Sequence, residues 1–138
     1  MALDQLNVVR LKILLVDDHL AAREALVRRL VHEPRVHVVG HTADIAEAVA
    51  LVVQHQPHAA LVDPRREDGA GIDAIASVAA VDVPMRPLIA AHASYFDADQ
   101  WARARAAGAR DWILKQFDVD ALVQRLSQAI ERQLNIGA

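Results

Sequence analysis

Residues 12–19 read KILLVDDH, and this stretch decides the fold. Four apolar residues, Ile13 to Val16, predict a short buried strand, and two adjacent carboxylates, Asp17 and Asp18, follow it directly. Adjacent carboxylates repel each other, and each raises the pKa of the other unless a cation lies between them. We therefore expect a positive group next to Asp17 and Asp18, and the rest of the sequence has to supply it.

Outward from this stretch, short apolar runs alternate with longer segments of helical periodicity. The runs that we predict as strands are residues 12–16, 36–40, 59–63, 87–91 and 110–115. The segments that we predict as helices are residues 20–31, 45–53, 72–81, 97–107 and 119–134. We expect Asp44 to cap the second of these helices, Asp118 to cap the fifth, and Gly108 to end the fourth. Five strands that alternate with five helices indicate parallel βαβ units with right-handed crossovers. The predicted fold class is α/β, an open doubly wound parallel sheet with helices on both faces.

The composition of the chain limits its function. The 138 residues, 54% of them hydrophobic, fit one domain with a single packed core. The formal net charge of -3 provides no basic stripe for phosphate contacts, so we expect that this chain binds no nucleic acid. The chain has no cysteine, which excludes disulfides and thiolate metal sites. No apolar run approaches the ~18 residues of a membrane span, so we expect a cytoplasmic protein without a membrane partner.

Charged residues follow the predicted strands on the side where such sheets bind ligands, outside the carboxyl ends. Strand one delivers Asp17 and Asp18, and strand three delivers Asp63. Strand four runs into His92, and strand five delivers Lys115. Three carboxylates and one ammonium group leave about two negative charges unbalanced, which Mg²⁺ would neutralise with the hard oxygen ligands it prefers. The sequence therefore predicts a magnesium site at this edge of the sheet.

Several spaced segments together resemble the receiver domain of two-component response regulators. They are LLVDDH followed by AREAL, HAALVD ending in Asp63, Gly71 opening GIDAI, and AAGARDWILK ending in Lys115. The first segment is similar to the subfamily whose receiver precedes a helix-turn-helix output domain. The resemblance implies a flavodoxin-like sheet of five parallel strands in the order 2-1-3-4-5 with five helices. It also implies an N-terminal extension over residues 1–10, a receiver domain over 11–134 and a tail over 135–138.

The resemblance also implies a role for each residue at the edge of the sheet. Asp63 would accept a phosphoryl group from a histidine kinase, a phosphotransfer protein or a small phosphodonor. Asp18, Asp63 and the backbone carbonyl of Arg65 would bind Mg²⁺ directly, and Asp17 would act through water. Lys115 would hold a phosphoryl oxygen. Such a domain regulates transcription through a changed partner contact or a homodimer, and its only catalysis is transfer to its own aspartate.

His92, Gln116, Glu67 and Pro64 depart from the pattern of that family, and the first two bear most on its function. His92 stands where the family places Ser or Thr at the end of strand four, so the hydroxyl that meets the phosphoryl group is missing. Gln116 follows Lys115 where the family carries a cis proline, and a cis bond to a non-proline costs ~2.5 to 4 kcal/mol. We therefore expect a trans peptide and a differently shaped loop. Trp112 occupies the position of the switch aromatic, and a role in core packing is compatible with that position.

Ordinary structural roles are also possible for these residues one at a time. Asp18 could cap the following helix, Asp63 before Pro64 could be a turn residue, and Lys115 could be a solvated strand end. Their convergence on one edge favours a functional site.

Three functional hypotheses remain open. The first is a receiver domain that accepts a phosphoryl group on Asp63 with Mg²⁺ and signals through altered contacts. The second is a receiver-like interaction domain that works without phosphate, which His92 and Gln116 support. The third is a magnesium-dependent enzyme similar to aspartyl phosphatases. Haloacid-dehalogenase-type phosphatases need a second acid two residues after the nucleophile, and Arg65 stands there.

Overall fold

The computed structural model describes residues 10–66, 69–116 and 118–137, except the side chains of 135–137. The strands are β1 Leu11–Val16, β2 Val36–Thr42, β3 Ala59–Val62, β4 Leu88–Ala93 and β5 Asp111–Leu114. The helices are α1 Leu20–Leu30, α2 Ile45–His55, α3 Gly71–Ala79, α4 Ala98–Ala107 and α5 Val119–Gly137. Each strand is followed by a helix, as the alternating pattern predicts. In the described part of the chain, no helix combines the length and apolar character needed to cross a membrane.

The strands form one parallel sheet in the order β2-β1-β3-β4-β5, which confirms the predicted fold and strand order. The chain order reverses between β1 and β3, so the carboxyl ends of these strands border the ligand-binding crevice of a doubly wound sheet. Val16 pairs with Val62 in the register of β1 and β3. Asp17 and Asp63 follow Val16 and Val62 in the chain. The two aspartates therefore lie side by side at the carboxyl end of the sheet.

The two faces of the sheet bury two separate groups of apolar side chains, because successive residues of a strand point to opposite faces. Leu15 and Leu61 face one side with Leu126 of α5. Val16 and Val62 face the other side, in the cluster that includes residues of α2, α3 and α4. All of these strand residues are buried, which explains why the strands read as continuous apolar runs.

The helix ends follow the predicted signals. Asp44 accepts a hydrogen bond from the Ala46 N–H at the start of α2, and Asp118 accepts one from the Ala121 N–H at the start of α5. Gly108 ends α4 with a φ of 127°, a backbone conformation that favours glycine. Asp18 does not cap α1, since His19 occupies that position and its side chain makes no capping hydrogen bond.

Gly71 fixes how the chain leaves β3. A Cβ atom at this position would collide with the backbone of Pro64, the residue that follows Asp63. The start of α3 can therefore lie directly against the segment behind Asp63 only because position 71 has no side chain.

Several observed boundaries differ from the predicted ones by one to three residues. β2 continues to Thr42, and β4 continues to Ala93, so His92 lies inside a strand instead of after it. α5 continues through Gly137, into the segment predicted as a C-terminal tail. Of the predicted N-terminal extension, only Arg10 belongs to the described residues. Pairing with β1 and with β5 extends β2 and β4 beyond what periodicity in the sequence marks.

Candidate functional site

Two of the three predicted carboxylates are buried at the carboxyl end of the sheet. Asp17 is 6% exposed and Asp63 is 3% exposed. The Asp17 N–H donates to the Thr42 carbonyl at 3.0 Å, and the Asp63 N–H donates to the Val16 carbonyl at 2.9 Å. The hydrogen-bond ladder of the sheet thus holds both backbones. Asp63 is therefore not an exposed turn residue, although it precedes a proline.

Lys115 bridges the two buried carboxylates. Its Nζ donates to Asp17 Oδ2 and to Asp63 Oδ2, both at 2.7 Å. Burial alone would lower the pKa of Lys115, but the hydrogen bonds to the two carboxylates raise it above its ordinary value. Burial alone would likewise raise the pKa of Asp17, but the hydrogen bonds from Lys115 and from the His19 N–H hold it below its usual range. Lys115 is therefore not a solvated strand end.

His19, which the sequence analysis did not select, supplies a second contact to the carboxylates. Its ring Nδ1 lies 2.8 Å from Asp17 Oδ1, 3.3 Å from Asp18 Oδ1 and 3.1 Å from Asp63 Oδ2. The hydrogen bond with Asp17 raises the pKa of the His19 ring above its ordinary value. Its place directly after the carboxylate pair, at the start of a helix, was the signal in the sequence. Lys115 is the positive group that was expected beside Asp17, and the His19 ring nitrogen lies close to both Asp17 and Asp18.

The same geometry tests whether a metal ion fits. One oxygen from each of three carboxylates lies within 3.3 Å of the His19 ring nitrogen, which occupies a place where a cation would be held. Carboxylate oxygens are the hard ligands that Mg²⁺ prefers, so the residues present fit this ion. Arg65 lies at the same edge, where its backbone N–H donates to Asp63 Oδ1 at 2.7 Å. The role of its carbonyl as a metal ligand remains a prediction.

His92 is buried within β4 and is 7% exposed. Burial is the main cause that lowers its pKa to about 4, and the nearby Lys115 ammonium lowers it further. The ring is therefore neutral at neutral pH. A neutral imidazole has one N–H donor and one acceptor nitrogen, but it has no hydroxyl and no charge to offer an incoming phosphoryl group.

Trp112 is buried in β5, 7% exposed, and packs against two aromatic rings. The ring centroids of Phe96 and Trp101 lie 5.4 and 6.2 Å from its own, both edge-to-face. The Lys115–Gln116 peptide that follows β5 is trans, as predicted. The structure thus brings the three aspartates and Lys115 together with His19, and it places His92 and Trp112 inside neighbouring strands.

The chain is similar to several bacterial transcriptional regulators. It is 35% identical over 106 residues to the DNA-binding transcriptional activator DevR/DosR of Mycobacterium tuberculosis, which covers 77% of this chain and 48% of that protein. It is 32% identical over 126 residues to the transcriptional regulatory protein PdtaR of the same species, which covers 86% of this chain and 58% of that protein. The chain spans about half the length of these curated relatives.

Solved structures show the same architecture. A two-component response regulator of the LuxR family from an Aurantimonas species matches with a TM-score of 0.74 and 27% identity, covering 88% of this chain and 86% of that chain. The signal receiver domain of the response regulator NarL from Mycobacterium tuberculosis matches with a TM-score of 0.67 and 25% identity, covering 92% and 95%.

The family pattern described as the response regulator receiver domain matches residues 13–127. Domains of this family are generally phosphorylated on an aspartate, bind Mg²⁺ at an acidic pocket and interact with histidine kinases or phosphotransfer proteins. They are generally not enzymes in the ordinary sense. The match covers most of the chain, and the sheet order and acidic edge agree with it, so this chain belongs to the response regulator receiver domain family.

Proposed function

We propose that Asp63 is the phosphoacceptor of this receiver domain and that Lys115 stabilises the transferred group. The observation that carries the proposal is the position of Asp63. It is buried at the end of a central strand, and its Oδ2 lies 2.7 Å from a lysine ammonium, beside two further aspartates. Phosphoryl transfer needs in-line positioning and neutralisation of charge more than covalent assistance.

The transfer step uses few groups of the protein. One carboxylate oxygen of Asp63 forms a new P–O bond while the P–N bond of a donor phosphohistidine breaks. The electron pair of that bond remains on the leaving imidazole nitrogen, which takes up a proton from solvent. Lys115, already bound to Asp63, neutralises part of the charge on the phosphoryl oxygens as a point charge.

A bound Mg²⁺ would supply additional charge neutralisation at the phosphoryl oxygens. We assign its direct ligands to Asp18, Asp63 and the Arg65 carbonyl, and an indirect contact through water to Asp17. The convergence of the three carboxylates supports this assignment. His19 has to leave the point between the carboxylates when the ion binds there.

The partners that we propose follow from this chemistry. A histidine kinase or phosphotransfer protein donates the phosphoryl group, and the product changes a contact with a partner or with a second copy of the chain. The curated relatives are transcriptional regulators about one and a half times as long as this chain, so we propose that this domain takes part in the regulation of transcription in the cytoplasm.

The proposal is tested by mass spectrometry after incubation with acetyl phosphate and Mg²⁺. We expect the wild type to gain the mass of one phosphoryl group and Asp63→Asn to gain none. A beryllofluoride complex, which mimics the phosphoryl group, should raise the melting temperature of the wild type only. A mass gain in both proteins, or in neither, contradicts the assignment of Asp63.

A second candidate function, a receiver that signals without phosphate, is favoured by one observation. The ring of His92 is buried and neutral at the position where the family supplies a hydroxyl. If this candidate is right, the wild type gains no mass from acetyl phosphate. A phosphatase function has no comparable support, and an assay for multiple turnover on phosphate esters tests it directly.

A further inference from the structure

The Arg65 backbone belongs to the site. Its N–H donates to Asp63 Oδ1 at 2.7 Å, and only Pro64 separates the two residues in the chain. When Asp63 becomes an acyl phosphate, its carboxylate charge is lost and roughly 1.5 to 2 negative charges appear on the phosphoryl group beside it. The electrostatic environment of the Arg65 N–H therefore changes whenever Asp63 changes state.

The Arg65 side chain extends from this backbone to the segment between β4 and α4 and to α4 itself. Its guanidinium carbon lies 3.3 Å from the centroid of the Tyr95 ring and 5.8 Å from that of Trp112. Its Nε donates to Gln100 Oε1 of α4 at 2.8 Å. Only 17% of the side chain is exposed. One residue therefore touches Asp63, the segment before α4, the first turns of α4, and β5.

Ring stacking holds the guanidinium more than ion pairing does. Within the described part of the chain, neither Nη1 nor Nη2 has a hydrogen-bond partner, and Asp97 Oδ2 lies 3.9 Å from Nη2. Nε keeps its hydrogen bond to Gln100, but burial of the two Nη groups without hydrogen bonds is costly, and cation–π contacts with Tyr95 and Trp112 offset part of that cost. A group held in this way can shift at a low free-energy cost when the backbone that carries it shifts.

The usual connection between the phosphoryl group and the β4–α4 segment is missing here. His92 brings no hydroxyl to the end of β4, and Trp112 is already buried between Phe96 and Trp101. A change at Asp63 therefore needs another route to α4. The contacts of Arg65 are a continuous route between the two.

We propose that Arg65 is a positioning residue that transmits the state of Asp63 to Tyr95 and α4. A displacement of the Arg65 backbone moves the guanidinium, and the guanidinium moves the segment that carries Tyr95 and Phe96. These two side chains are 61% and 56% exposed, so their movement changes the surface that a partner meets. This inference rests on the proposed phosphorylation of Asp63.

The test follows the fluorescence of Trp112 at saturating beryllofluoride and Mg²⁺, so that altered affinity does not imitate an altered response. Trp101 and Trp112 are the two tryptophans of the chain, and Trp101→Phe in every protein leaves one reporter. The variants are Arg65→Met, Tyr95→Leu and their combination. Arg105→Met is the matched control, because the Arg105 guanidinium carbon lies 5.7 Å from the centroid of the Trp101 ring, and Trp101→Phe keeps an aromatic ring at that position.

We expect each single variant to lose about half or more of the wild-type signal change, and the combination to lose no more than the larger single loss. Arg105→Met should respond like wild type. Arg65→Met should also increase acrylamide quenching of Trp112 in EDTA, since the guanidinium shields the ring without any metal. Tyr95 is exposed, so Tyr95→Leu keeps the test valid if Arg65→Met fails to fold.

The outcomes separate this inference from the proposed function. If Asp63 takes up phosphate and the variants respond like wild type, or if their losses simply add, Arg65 does not transmit the change. A phosphorylated wild type without any signal change overturns the inference as well. If no protein gains phosphoryl mass from acetyl phosphate, the proposed function fails first, and the inference falls with it.

Discussion

The acidic pocket, made of Asp17, Asp18, Asp63 and Lys115, lies next to the switch region, made of Arg65, His92, Tyr95 and Trp112. Short hydrogen bonds between opposite charges hold the pocket, and Lys115 lies 2.7 Å from both buried aspartates. Burial and ring contacts hold the switch region.

The comparison shows that the acidic pocket and the switch region differ in how many residue types each position tolerates. A charged hydrogen bond is directional, and removal of one partner leaves the other buried and unpaired. Ring packing is less directional, so a histidine can replace a small hydroxyl residue in β4 and the fold is kept. The pocket accordingly has the residues that the resemblance implies, whereas the switch region has departed from them at His92.

The largest expected effect is the loss of stability when the acidic pocket loses its lysine. Lys115→Met leaves Asp17 and Asp63 buried without their ammonium partner, which should lower the free energy of unfolding in EDTA by about 3 to 5 kcal/mol. Urea titration measures this loss. Added Mg²⁺ should restore part of it, because the ion would neutralise the same carboxylates.

Lys12→Met is the matched control for that comparison. Lys12 is the other lysine of the chain, and its Nζ donates to the His55 backbone carbonyl at 2.9 Å instead of to a buried carboxylate. We expect its loss to be within about 1.5 kcal/mol. Equal losses for the two lysines would mean that the pocket is no more constrained than the rest of the sheet.

The next effect concerns the switch region and depends on pH. The pKa of His92 is lowered to about 4, so between pH 6.5 and 4 the unfolded chain binds a proton that the folded chain does not. Stability from this residue is present above pH 6.5 and decreases as pH falls toward 4, by up to about 3 kcal/mol. His92→Thr should abolish this part of the acid sensitivity.

The measurement is the free energy of unfolding of the two proteins across that pH range in EDTA. Asp17, Asp63, Lys115 and Arg29 are the charged groups that act on His92, and they are the same in both proteins, so the difference between the two curves isolates the ring. Parallel curves would show that the His92 ring takes up a proton as readily in the folded chain as in the unfolded chain. In that case the pKa of His92 is not lowered by burial in the switch region.

The smallest expected effect is on the Mg²⁺ affinity of the acidic pocket. His19 Nδ1 stands between the three carboxylates, so Mg²⁺ binding has to displace it. His19→Ala should bind Mg²⁺ roughly threefold tighter, or about 0.7 kcal/mol, by calorimetric titration. His41→Ala is the control, because the His41 ring is exposed and is bonded to Arg23 instead. Weaker binding by His19→Ala would mean that the ring holds the carboxylates in place for the ion.

Most of the fold could be predicted from the sequence, because its signals are local. The alternation of apolar runs with helical segments predicted every strand and helix, and Asp44, Asp118 and Gly108 marked helix ends correctly. The end of β4 could not be predicted, since pairing with β5 extends it. The convergence of Asp17, Asp63 and Lys115 followed from topology alone.

The sequence by itself determined the sheet, its order through family resemblance, and the charges gathered at its carboxyl edge. Only the tertiary structure decided which cation meets which carboxylate, that His19 lies among them, and that the Arg65 side chain lies over Tyr95. The physical reason is range. Periodicity is a property of the local sequence, and it determines the strands and helices through the backbone. The side-chain contacts of the site join residues up to 98 positions apart in the chain. Packing and desolvation in the folded chain therefore select these contacts.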